Sequence, residues 1–310
     1  MTGQPSMSTT AARIFGFDWL RVLALLLVTV FHGLVLLDLQ SWTQIAGMSM
    51  GSLGVSLFLA LSGALIGMDD RPAIAWLVAR LKKIYPAYWI ATAFAFVATA
   101  ASGYKPINLV QFLWQMSGIG LYYSEDLINV ATWFIGLLLT LYFSVFLARL
   151  TLYSDLILQG FAIGSAGLVL LHSSGGFFGY CVAFYGGLLA FRTRVPVKSL
   201  LALAIPSAVL SGADREFLYI ATVWSLLAAS LAIRRVPRMI GWISKYSYEF
   251  YLCHGIFLVG GLKFLGTGTL SLQSVVALIV GILAATFTAV LIQMAVSGSL
   301  VRFIKAWGRG

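Results

Sequence analysis

Apolar runs close to the roughly 20 residues that a helical bilayer crossing needs recur along the whole chain. They are continuous rather than alternating, which excludes an outer-membrane barrel, whose strands face lipid and lumen in turn. Of the 310 residues, 60% are apolar and only 10% are charged, and mean hydropathy is +0.95. A soluble protein carries about 25% charged residues. Soluble globular, disordered, coiled-coil and disulfide-rich secreted chains are therefore excluded. Cys181 and Cys253 both lie inside apolar runs and read as packing residues, not as a disulfide framework.

The expected fold is all-α: a polytopic membrane protein with a single bundle of about ten transmembrane helices. The expected spans are 15–38, 48–68, 84–103, 130–149, 156–172, 175–192, 197–212, 216–234, 243–265 and 271–299. The segment 104–129 contains INLVQFLWQMSGIGLYY, whose Gly, Ser and Gln content suits a re-entrant or interfacial piece better than a crossing. There is no internal repeat and no linker, so residues 1–310 read as one domain. The polar start, residues 1–13, is expected to be a disordered tail. It does not read as a signal peptide: the following run carries Asp18 and Arg21 and continues to Leu37.

Basic residues orient the bundle. With the N-terminus inside, inner loops and tails hold 16 of the 20 Lys and Arg residues, and the outer side holds Lys105, Arg215 and Lys263. This positive-inside pattern places both termini in the cytoplasm. It also accounts for the net charge of +10, and nucleic acid is not expected as a partner. The remaining cation, Arg21, lies within the first span. An ionised Arg there costs roughly 2.5–3.5 kcal/mol on insertion scales and needs a partner or a wet cavity. Asp18 is one helical turn earlier. His32 follows Arg21 by eleven residues, about 20° beyond three full turns and roughly 16 Å further along the axis. One face of an apolar helix thus carries an acid, a cation and an imidazole. Two readings stand: an interior ion pair with a hydrogen-bonded histidine, or a functional site.

Five segments in order resemble a known family. FDWLRVLALLLVTVFH, with Arg21 and His32, is similar to the opening helix of integral-membrane acyltransferase family 3. GSLGVSLFLALSGALIG resembles its second helix, with Ala64 where Phe is usual. ARLKKIYPAYW resembles its R-x-x-R-I-x-P-x-Y element, with Lys83 at the second basic place. WFIGLLLTLYF and ISKYSYEFYLCH resemble two later helices. The resemblance covers about residues 17–255. It implies transfer of an acyl group, often acetyl, from cytoplasmic acyl-coenzyme A to a hydroxyl of a glycan, lipid-linked sugar or similar acceptor. It implies acyl-CoA as donor substrate, membrane lipids as surroundings and a multi-pass location in a bacterial inner (plasma) membrane. Some members are instead assigned to glycan export or succinylation.

Such a transfer needs a base for the hydroxyl, a donor for the oxyanion and cations for coenzyme A. His32, which titrates near neutrality, is the expected base. Arg21 falls to the thioester, the pantetheine channel or a structural role with Asp18. Arg80 and Lys83, three apart at a helix start, suit the nucleotide phosphates, although both also serve the positive-inside rule. Lys83 lacks the bidentate fork of an Arg. Tyr251 and His254 share a face of the ninth span. His254 is either a second acid/base group, a group that orients the acceptor, or polar packing. His172 reads as an interfacial loop residue. Gly47/Gly51 and Gly63/Gly67 read as close-packing pairs. Ser62 lacks the flanking of a nucleophile elbow, and three scattered histidines make no metal cluster. A transporter of a glycan or lipid intermediate is the alternative, disfavoured by the lack of an inverted repeat or paired broken helices.

Overall fold

A computed structural model of the protein describes residues 13–122, 127–171, 176–193, 195–266 and 269–299. His172, Arg194, residues 1–12 of the tail, and Arg302, Lys305 and Arg309 lie outside the described residues. The described residues form eleven α-helices: α1 Phe15–Leu36, α2 Met50–Gly67, α3 Ala73–Ser102, α4 Leu109–Ser117, α5 Thr132–Arg149, α6 Ser154–Leu171, α7 Phe177–Arg192, α8 Pro196–Leu210, α9 Glu216–Ser230, α10 Arg238–Leu265 and α11 Leu272–Val296. A two-residue hairpin pairs Gln44–Ile45 with Met48–Ser49 between α1 and α2. Six helices (α1, α2, α3, α5, α6 and α11) are long and apolar enough to cross a membrane by length and composition, and α7, α8 and α9 are shorter apolar helices. The protein is an all-α membrane protein.

Two helices begin earlier than the apolar runs suggest. α3 starts at Ala73, not near 84, because Pro72 occupies its N-cap and nothing in AIAWLVARLKK breaks a helix. Trp76 is fully buried against Tyr142, with ring centroids 5.7 Å apart, so the polar-looking stretch is anchored. Arg80 and Lys83 therefore lie inside α3 and not at its start. α10 likewise begins at Arg238 behind Pro237.

α2 is the centre of the bundle. It packs against α1 on one side and α7 on the other, while α10 lies between α1 and α11. Backbone proximity explains the glycines. A Cβ on Gly63 would come within 2.0 Å of the Phe184 carbonyl oxygen, and one on Gly67 within 2.3 Å of that of Leu188. The Gly63/Gly67 pair thus packs α2 onto α7. Gly47 does not pack at all: at φ +78° it turns the hairpin, with open space around it.

The segment after α3 folds back toward the middle of the bundle instead of crossing it. Asn108 caps α4 by accepting from the Gln111 N–H at 2.7 Å. The carbonyls at the other end have no helical partner. α3 satisfies them: Tyr85 Oη donates to Ser117 O at 2.7 Å, Trp89 Nε1 to Met116 O at 3.0 Å, and Tyr88 Oη to Gln115 O. The buried Gln115 Oε1 accepts from the N–H groups of Ile128 and Asn129, and Asn129 Nδ2 donates to Leu252 O at 3.2 Å. α4 is thereby tied to α10 two residues before His254.

Candidate active site

The polar residues of the sequence stripe separate into two regions. At one end lies a cavity of about 470 Å³. Six cations line it, Arg13, Arg21, Arg80, Lys82, Lys83 and Lys245, with the acids Asp18 and Glu249. Lys82, Lys83, Lys245 and Arg13 are exposed, so this end of the cavity is open.

Asp18, 6% exposed, organises one wall. It accepts from Arg21 Nη1 at 3.2 Å, as the three-residue spacing predicts. It also accepts from Arg13 Nε at 3.0 Å and Nη2 at 2.7 Å, and from Ser244 Oγ at 2.7 Å. Arg13 is thus no part of a disordered tail: its guanidinium is held on a buried carboxylate, and that pairing fixes it. Ser244, from α10, had no sequence signal of its own.

Arg80 has a carboxylate partner that sequence reasoning missed. Its Nη2 lies 3.1 Å from Asp69 Oδ2, and Asp69 also takes a two-pronged contact from Arg71 at 2.6 and 2.9 Å. The Arg71 hydrogen bonds, helped by the Arg80 charge, hold the Asp69 carboxyl at about 2 against the opposing effect of burial. Arg149 braces the same turn by donating to the carbonyls of Ile66, Asp69 and Arg71, with its guanidinium 4.8 Å from the Trp76 ring centre. Arg80 Nε is buried with no hydrogen-bond partner.

α10 contributes an acid to the same cavity. Glu249 is 5% exposed, and its Oε2 is buried without a partner. The sequence shows it as a charge within an apolar run, but its direction depends on how α10 packs. Ser62 also lines this cavity, whereas both described histidines lie beyond it.

The inner wall is aromatic. Phe58, Phe134 and Tyr251 line the cavity. The Tyr251 ring is 5.9 Å from Phe58 and 5.0 Å from Phe134. On its far side, Tyr251 lies 5.4 Å from the His254 ring. His254, 3% exposed, meets His32 across the α1–α10 contact: its Nε2 is 3.2 Å from His32 Nδ1. His32 Nδ1 is 2.9 Å from Val28 O, and His254 Nδ1 is 2.6 Å from Tyr251 O. The structure therefore brings together Asp18, Arg21, Arg80 and Lys83 in one place and His32 and His254 in another, with Tyr251 between them. No spacing within the sequence links two histidines 222 residues apart.

Comparison with curated proteins and with solved structures gives no match. A family model described as an acyltransferase domain, that of acyltransferase family 3, matches residues 14–294, from the start of α1 nearly to the end of α11. The chain belongs to acyltransferase family 3.

Proposed function

We propose that this membrane acyltransferase moves an acyl group, acetyl by expectation, from acyl-CoA to a hydroxyl of a glycan, lipid-linked sugar or similar acceptor, with His32 as general base. The observation that carries the reading is the cavity: six cations at an open end, an aromatic wall at the inner end, and paired imidazoles behind it. The donor chemistry fits these residues. Arg80, Lys82, Lys83 and Lys245 would hold the phosphates, and the unpartnered Arg80 Nε offers a charge-assisted donor. The unpartnered Glu249 Oε2 would accept from a pantetheine amide N–H. Arg21, held by Asp18, lies where it would steady the pantetheine arm or the developing oxyanion.

His32 is oriented for proton removal. Val28 O only accepts, so His32 Nδ1 carries the hydrogen and Nε2 carries the lone pair. Nε2 takes the hydroxyl proton as the O–C bond forms, then returns it to the leaving sulfur as the C–S bond breaks. To reach His32, the acyl end would have to pass Phe58, Phe134 and Tyr251, which pack between the cavity and the histidine pair. We also place the protein in a bacterial inner (plasma) membrane, with ten crossings and both termini cytoplasmic, on the 16-to-3 split of basic residues. Acyl groups then cross while coenzyme A stays inside.

The test is thioester cleavage and acceptor uptake by purified protein in proteoliposomes with acetyl-CoA and candidate glycans. Free thiol appearing only with acceptor, together with an acylated product, supports the reading. Acceptor movement without thiol release would instead make the protein a transporter.

A further inference from the structure

We propose that His254 is a positioning residue: a neutral hydrogen-bond acceptor that fixes the tautomer of His32 and spreads the charge His32 gains during transfer. The proposal rests on the reading of His32 as base.

His254 Nδ1 lies 2.6 Å from Tyr251 O, which has no hydrogen to give. His254 must therefore carry its hydrogen on Nδ1, and the neutral ring presents a lone pair at Nε2. That lone pair faces His32 Nδ1 at 3.2 Å, and Val28 O faces the same nitrogen at 2.9 Å. Two acceptors converge on one nitrogen. Only the Nδ1–H form of His32 serves either of them; the other tautomer would set three lone pairs against one another. The His32 lone pair is thereby confined to Nε2, which no group hydrogen-bonds among the described residues. An unconstrained imidazole favours the opposite form.

The same contact acts during transfer. When Nε2 accepts the hydroxyl proton, His32 becomes a cation with both nitrogens protonated. Its Nδ1–H then points at a carbonyl and an imidazole lone pair, and charge-assisted hydrogen bonds are stronger than neutral ones. When Nε2–H passes to the leaving sulfur, both rings return to their starting state. His254 keeps its own hydrogen throughout. A neutral partner also spares the membrane interior a second ionised acid, whose burial would be costly.

The surroundings hold His254 in place. Phe250 stacks on it at 6.0 Å and 11°, and Asn129 grips the preceding turn through Leu252 O. A polar packing residue would need neither convergence on one nitrogen nor a particular tautomer.

The test combines nitrogen-15 spectra with kinetics in lipid. The chain has three histidines, so His32 can be assigned by difference from variants. In the wild type, His32 should show Nδ1 protonated and Nε2 free. His254→Gln places an amide oxygen where Nε2 stood, and should keep that signature and turnover within about threefold. His254→Asn can still reach Tyr251 O but not His32. It should lose the single tautomer and slow turnover by about tenfold to a hundredfold, less than loss of the base itself, with acetyl-CoA binding unchanged. Equal turnover of the Gln and Asn variants, or a His32 tautomer unchanged in both, overturns the proposal. If both variants keep wild-type turnover while His32→Gln is inactive, only this proposal falls. If His32→Gln is itself active, the reading of the base falls, and this proposal with it.

Discussion

The cationic cavity and the histidine pair share two helices, α1 and α10, with α2, α3 and α5 adding to the cavity, and they are built on opposite principles. In and beside the cavity, charges are offset by charges: Asp18 gathers two guanidiniums and a hydroxyl on its wall, and Asp69, just outside it, pairs with the cavity-lining Arg80 and with Arg71. At the pair, no described charge takes part, and two backbone carbonyls set the hydrogen on each ring. The difference follows from water. Near an open mouth, several cations can be held ready for an anionic ligand because solvent screens their mutual repulsion. Further in, a standing charge would be costly to bury. On the proposed function, one end binds the donor and the other moves the proton.

The sharpest way to break this comparison is to exchange the phenotypes. His32→Gln keeps a hydrogen-bonding amide but no base. It should lower turnover by about 10²–10⁴-fold while acetyl-CoA affinity, measured by calorimetry, stays at the wild-type value. A variant that lost binding and turnover together would place His32 in the donor site.

Asp18→Ala comes next. It leaves the Arg21 guanidinium without its carboxylate inside α1 and removes the acceptor for Arg13 and Ser244. Removing one partner of a buried pair costs about 3–5 kcal/mol, so thermal unfolding in detergent should fall well below the wild type. Near-wild-type unfolding would mean that water, not Asp18, holds Arg21.

Arg80→Ala and Lys83→Ala should each weaken acetyl-CoA binding by about 1.5–3 kcal/mol, the range for hydrogen bonds to charged groups. Turnover at saturating donor should hold, and binding should weaken with salt. Unchanged affinity in both single variants and the double variant would leave these residues as topology anchors alone.

The smallest effect belongs to Asp69. Its carboxyl is depressed from an ordinary value near 3.8 to about 2. A depressed acid stabilises the folded state above the ordinary value, and this contribution is lost as pH falls through the folded value of about 2. Arg71 is half exposed, so the contribution is modest. The difference in unfolding temperature between wild type and Asp69→Asn should be constant above about pH 5, shrink as pH falls through the window between those two values, and approach zero only at about pH 1. A difference independent of pH would show that the Asp69 charge is not what matters.

What the sequence revealed follows the geometry of single helices. Asp18 and Arg21 are three apart on α1, and the helix alone brings them together. Gly63 and Gly67, four apart, were legible as a packing face for the same reason. Contacts between helices were not legible. Nothing in the spacing of Arg13 and Ser244 places them on Asp18, and nothing in α1 reveals that His32 meets His254. Hydropathy marked where chains become apolar, not where helices begin, so Arg80 and Lys83 were expected at a helix start and lie within α3. Asp69 carried no signal of its own, because its value to Arg80 depends on Arg149 holding the turn.

The central claim is that donor binding and proton removal occur at opposite ends of one path, with coenzyme A confined to the basic face. Proteoliposomes of known orientation test it most directly, with acetyl-CoA supplied on one side only and a hydroxyl acceptor on the other. The account predicts acylated acceptor only when acetyl-CoA is on the side bearing Arg80 and Lys83, with the released coenzyme A recovered on that same side. Equal product from either arrangement, or coenzyme A recovered with the acceptor, would contradict it.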